Sequence, residues 1–229
     1  MASPSITCWP VPGKKKSARL CEAFAAGAPA GARGHVFAGV KDGNRADWER
    51  VRASGEDWYY IDNAWFDAVR ATHQRVAKNA AQAVRWDVRD AARLAAQGIT
   101  LAPWRRGGRH VLVIEQSPLH MRILEGWPGP DGGWGAWMVE QVRRHTDRPV
   151  VLRAWQADKL EAARGFADAL RDCWCVVTHT SAAACEAIAR GVPAISLGTS
   201  MADPAGLTEL AQLDAPPEPE CDARRAWAE

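Results

Sequence analysis

No apolar run approaches the roughly eighteen residues that a membrane-spanning helix requires, so no membrane span is expected. The six cysteines (Cys8, Cys21, Cys173, Cys175, Cys185 and Cys221) form no Cys-x-x-Cys pair and no zinc spacing. They read as reduced thiols, with Cys173 and Cys175 as small apolar residues at the start of a buried strand. The N-terminus lacks a long apolar core, so no signal peptide is read and a cytoplasmic setting is expected. No Asp-x-Asp suits a metal–diphosphate site, and no metal ligand is assigned. Net charge is only +2, which gives no global field for nucleic acid. No internal repeat or low-complexity tract appears beyond alanine-rich helices.

What is present is an ordinary globular balance, 47% apolar and 24% charged over 229 residues. That length suits one sizeable domain or two small ones. Two compact basic patches stand out, Lys14-Lys15-Lys16 and Arg105-Arg106 with Arg109. Such clusters usually sit on solvated faces, and contact with a polyanion is the other reading. Twelve tryptophans are many for this length. Indole suits core filling as well as sugar or base stacking. Trp127, Trp134 and Trp137 lie in a Gly/Pro-rich region and are the expected binding surfaces among them.

Strand and helix patterns alternate along the chain. In the first half, strands are expected at 5–9, 35–38 and 57–61, and helices at 17–26 and 44–53. A helix-rich stretch covers 79–100. In the second half, strands are expected at 111–114, 149–153, 174–178 and 193–197. Helices are expected at 135–145, 158–170 and within the stretch that follows Ser181. Alternation of this kind predicts largely parallel sheets covered on both faces. Gly107-Gly108 precedes a fresh strand and marks the preferred domain boundary.

The densest signal runs from Cys175 to Ile195. An apolar strand ends at Thr178, the polar turn His179-Thr180-Ser181 follows, and a helix carries Glu186 and stops at Gly191. Val192-Pro193 then opens another strand. This is a compact βαβ unit that puts Thr180 and Ser181 at a helix N-terminus, where free N–H groups favour an anion such as phosphate. Any doubly wound protein can be built this way, with Ser181 as a plain cap and Glu186 on a solvated face. Gln116 and Ser117 follow the strand at 111–114, and Arg153 ends the next. A guanidinium at such a position matches phosphate geometry. His179 is the leading histidine, able to stabilise a departing phosphate or to bond a backbone carbonyl. His120 is a weaker candidate. Asp62, at the end of the third strand, can act as a general base or can cap its own turn.

Ser181, Glu186, Ala187, Gly191 and Pro193 together resemble the nucleotide-sugar site of GT-B glycosyltransferases. The likeness covers about residues 110–200. The chain also resembles small glycosyltransferase-like proteins of phages, through Trp58-Tyr-Tyr-Ile-Asp-Asn-Ala-Trp-Phe66 and Arg75-Val-Ala-Lys-Asn79, and capsule-sugar transferases. Many GT-B enzymes carry a second acidic residue eight positions before the glutamate, where this chain has Thr178. The resemblance implies an α/β fold of two Rossmann-like parallel-sheet halves facing a cleft. It implies an acceptor-side domain over 1–108, a nucleotide-sugar domain over 109–200, and a tail, 201–229, that packs back on the N-terminal half.

The implied activity is metal-independent transfer of a sugar from a nucleotide-diphosphate sugar, a UDP-sugar as first guess, to an acceptor hydroxyl. Gln116, Ser117, Arg153, Thr180 and Ser181 would hold the diphosphate and Glu186 the ribose. Asp62 and His179 would be catalytic. The favoured acceptor is a hydroxymethylated base in double-stranded phage DNA, which would place the enzyme in a host cytoplasm. A polysaccharide, a small metabolite, or a non-catalytic binding module of the same fold are the alternatives.

Overall fold

The computed structural model describes residues 5–66, 73–82, 91–96, 98–127, 133–156, 165–219 and 221–228. The chain divides into two compact units. One comprises Met1–Ala64, Arg70–Ala83 and Arg122–Gly126, and the other Trp65–Val69, Val84–Met121 and Trp127–Glu229. The boundary read at 108 therefore falls inside the second unit, and so does the whole of the tail.

The first unit is a four-stranded sheet in the order β1-β2-β3-β4, formed by β1 (Ser5–Pro10), β2 (Arg33–Ala38), β3 (Trp58–Asn63) and β4 (Gln74–Lys78). The first three strands are parallel. β4 runs antiparallel to β3, with Asp62 opposite Arg75. That strand lies where the sequence shows only the short Arg75–Asn79 segment. Its apolar content is thin, because Ala77 alone is buried.

Helices α1 (Lys15–Gly27) and α2 (Arg45–Ser54) supply the crossovers. Period-two alternation along β2 separates two cores. Val36 and Ala38 meet Cys21 and Ile61. Phe37 turns the other way and meets Trp48 edge-on at 5.2 Å. Trp48 in turn packs against Trp58 at 4.6 Å and Tyr60 at 5.5 Å. Burial pushes the Tyr60 hydroxyl well above its usual titration range.

The second unit holds a parallel sheet in the order β6-β5-β7-β8, formed by β5 (His110–Ile114), β6 (Val150–Arg153), β7 (Cys173–Thr178) and β8 (Ala194–Ser196). It carries helix α3 (Ala91–Ala96), α4 (Pro118–Ile123) as far as Met121, α5 (Gly133–Val142), a helical segment α6 over 165–169, α7 (Ala183–Ala189) and α8 (Cys221–Ala228). α4 lies between the strand expected at 111–114 and the helix expected at 135–145, where the sequence pattern gives no element.

At β5, β7 and β8 both faces of this sheet are buried, as their near-continuous apolar runs require, while the edge strand β6 stays partly exposed. Leu112, Ile114, Val176 and Ala194 face one core with Ala184, Ile188 and Trp227. Val111, Val113, Cys175, Val177 and Ile195 face the other with Trp134, Met138 and Leu213. Desolvation pushes the Cys173 thiol up to about 12, in keeping with an apolar filler. The tail is fastened here. Trp227 donates its indole N–H to the Met201 carbonyl at 2.6 Å, and Arg224 donates to the Ala102 carbonyl at 2.6 Å.

Two glycines show how close packing, rather than backbone conformation alone, sets a residue's cost. Gly55 and Gly191 have φ of +77° and +76°. A Cβ on Gly55 would meet nothing within 4 Å, whereas one on Gly191 would strike the Pro103 carbonyl. Gly55→Ala is expected to cost about 1 kcal/mol, the left-handed backbone penalty alone. Gly191→Ala should exceed it by at least about 2 kcal/mol, because backbone must move. Urea unfolding of the two variants checks this difference.

Candidate functional site

The site is best defined at the carboxyl ends of the second unit's strands, the edge where open parallel sheets take ligands. β5 ends in Ile114, and Glu115, Gln116 and Ser117 follow. Pro118 then occupies the first position of α4, where its missing N–H costs nothing. The short helix brings His120 back over the strand ends, with the His120 N–H on the Ser117 hydroxyl at 3.4 Å.

Gln116 is buried, and its amide donates to the Thr180 hydroxyl at 2.7 Å. His120 Nε2 lies 3.2 Å from the same oxygen. Thr180 is itself buried, so its hydroxyl ties β5, α4 and the end of β7 into one network. Such an oxygen has two lone pairs and one proton, and two of those three capacities are used here.

β7 and β8 stay paired beyond their formal ends. Leu197 N–H reaches the Thr178 carbonyl at 3.1 Å, and Gly198 N–H reaches the His179 carbonyl at 3.1 Å. The His179 ring lies on Gly198, where a Cβ would fall 2.6 Å from Nδ1 and 2.7 Å from the Thr180 methyl. Trp134 approaches the same imidazole edge-on at 6.1 Å. Trp134 is thus a core residue, contrary to its expected role as a binding surface. Trp127 and Trp137 pack on each other at 4.9 Å.

Glu115, which the sequence does not single out, has a defined place. Its carboxylate lies over the start of α5. A Cβ on Gly133 or Gly135 would come within 3.2 or 2.9 Å of Oε1. Oε2 accepts the Trp155 N–H at 3.1 Å.

The other residues read from the sequence fall as follows. The Ser181 hydroxyl accepts the Ala183 N–H at 3.2 Å, so it stabilises the turn into α7. Arg153 donates to the Gly165 carbonyl at 3.2 Å, with its guanidinium 5.8 Å from the Phe166 ring centre. Glu186 pairs with Arg190 four residues on, at 2.8 Å, and its side chain is 41% exposed. Thr178 is fully buried, and its hydroxyl donates to the Ile114 carbonyl at 3.4 Å. Lys159, six residues beyond Arg153 and either a second charge for a phosphate or a surface helix residue on the sequence alone, lies outside the described residues. In the first unit, Asp62 pairs with Arg75 at 3.0 Å. Its other oxygen accepts the Asn63 N–H at 2.8 Å. Its side chain is 38% exposed. The chain therefore brings Gln116, Ser117, His120, His179 and Thr180 together on one edge, while Glu186 and Asp62 each hold an arginine.

Beyond the tips, Ser200 and Asp203 shape the loop after β8. Asp203 Oδ2 accepts the Ser200 N–H at 2.9 Å. Burial raises the Asp203 carboxyl above its usual range.

No protein-family model matches the chain, and no curated protein matches it. Its fold is similar to a solved structure from Thermosulfurimonas dismutans, KpsC, described as a beta Kdo 2,7 transferase. The two share 12% identity with a TM-score of 0.59, over 98% of this chain and 89% of that one. The fold is thus GT-B-like, an α/β fold with two Rossmann-like halves, and it is shared with that structure.

The buried network and the exposed ion pair should respond differently to mutation. Thr180→Val removes the acceptor of the Gln116 amide and should cost about 1–3 kcal/mol. Glu186→Gln should change stability by less than about 0.5 kcal/mol, as expected for an exposed helix pair. Chemical denaturation of both variants checks the contrast. Equal losses would contradict it.

Proposed function

We propose that this chain is a glycosyltransferase that moves a sugar from a nucleotide-activated donor to an acceptor hydroxyl. The observation that carries this reading is the joining of Gln116, His120 and Thr180 at adjacent strand ends, in a fold shared with a transferase. The second unit takes the donor. Ser117, Arg153, Ser181 and the backbone N–H groups of the 179–183 turn are assigned to its phosphates. His179 is assigned to the departing phosphate, where an imidazolium would offset the developing charge.

Thr180 positions this edge through its hydroxyl and would meet the donor through its backbone. Glu186 is assigned to the ribose, for which its carboxylate would exchange Arg190 for sugar hydroxyls. Protein cations take the part that a metal plays elsewhere, so transfer should persist in EDTA.

Asp62 is the proposed base. Arg75 and the Asn63 N–H orient its carboxylate, and general-base catalysis needs such a fixed acceptor. A saccharide hydroxyl is the favoured acceptor, because the similar structure is described as a Kdo transferase. A hydroxymethylated DNA base is the second reading, which rests on the resemblance of segments 58–66 and 75–79 to phage proteins alone.

The test is product formation by the purified chain from nucleotide-activated Kdo and from UDP-sugars. Oligosaccharide and hydroxymethylated-DNA acceptors are supplied in separate reactions. Asp62→Asn keeps an oxygen for Arg75 and should lower kcat by about 10²–10⁴-fold while donor binding survives. Near-normal kcat in that variant would remove Asp62 from the chemistry. Transfer to DNA that fades steeply with salt would favour the second reading, because phosphate contacts release counterions.

A further inference from the structure

Trp155 is a large apolar side chain left in water. It is 46% exposed, and Val151 and Leu152 on the adjoining β6 edge are 45% and 40% exposed. Single exposed apolar residues are common and carry no meaning alone. Trp155 differs because its backbone is anchored at the strand carboxyl edge. Its N–H is held by Glu115 at 3.1 Å. Glu115 is held in turn where Gly133 and Gly135 leave room for its carboxylate. The indole is therefore presented from a fixed backbone position, which spares ordering cost when a flat ligand stacks on it.

Its spacing from Arg153 also fits a nucleotide. Two residues of chain span at most about 7 Å. A ribose separates a base from its first phosphate by a similar length. A guanidinium matched to phosphate at the last residue of β6 and an indole matched to a base two residues beyond it thus stand in the order a nucleotide needs.

We propose that Trp155 is the stacking platform for the nucleobase of the donor, an assignment that rests on the nucleotide-sugar reading above. The platform grips the base by its face, a contact that every base offers, so it contributes affinity without choosing among bases.

Equilibrium titration of the full chain with UDP, CMP and GDP compares the wild type with Trp155→Ala and Trp155→Phe. Trp155→Ala should bind each nucleotide that the wild type binds about tenfold more weakly, and Trp155→Phe should recover most of that loss. Both variants should keep the wild-type Tm, because the side chain is half in solvent. Indole fluorescence quenching on saturation should shrink in both. Wild-type affinity in Trp155→Ala overturns the platform and leaves the nucleotide-sugar reading standing. An equal loss in both variants, accompanied by a lowered Tm, overturns it as well, because that pattern marks a structural role. A wild-type chain that binds none of the three nucleotides at millimolar concentration overturns the nucleotide-sugar reading, and the platform with it.

Discussion

A buried amide and a buried hydroxyl meet where β5 and β7 end, and the geometry of the second unit's edge follows from their bond. Gln116 cannot leave its amide unpaired in that position without a cost of about 1–3 kcal/mol. Thr180, two residues past the end of β7, accepts it at 2.7 Å. That single bond fixes how far β5 extends before the chain turns into α4. It thereby fixes where Ser117 and His120 stand. It also holds the 179–181 turn in place, with the His179 ring packed against Gly198. Buried polar networks of this sort specify one arrangement when every member is satisfied.

The two units solve the same packing problem with different side chains. The first fills the α2 face of its sheet with Phe37, Trp48, Trp58 and Tyr60 in tilted and edge-on contacts. Aromatic pairs of that geometry add specificity to plain burial. The second relies on small and branched residues. Ala184, Ala187 and Ala194 let α7 sit close to the sheet, and Gly191 lets the chain turn tightly against Pro103. Close approach of helix and strand is what brings the 179–183 turn near the strand ends.

The α/β architecture was legible because β5 and β7 are buried on both faces and read as unbroken apolar runs. β4 was not, since Gln74–Lys78 has one buried apolar residue and finds its place through pairing with β3. α4 carried one readable signal, Pro118 at its first position. Its six residues are too few to show helical periodicity. His120 became prominent only through contact with a residue sixty positions away. Glu186 had a warning in the sequence, because Arg190 stands four residues on, where a helix pairs opposite charges. Glu115 and Trp155 gave no pattern at all. Their relation depends on the glycines that open α5.

The central claim is that a nucleotide-activated sugar binds at the carboxyl edge of the second unit's sheet. Amide hydrogen exchange, measured with and without a saturating donor that the chain turns over, tests it most directly. The account predicts slowed exchange confined to residues 115–120, 153–156 and 178–186. Turnover with unchanged exchange in all three segments, and protection elsewhere in the chain, would contradict it.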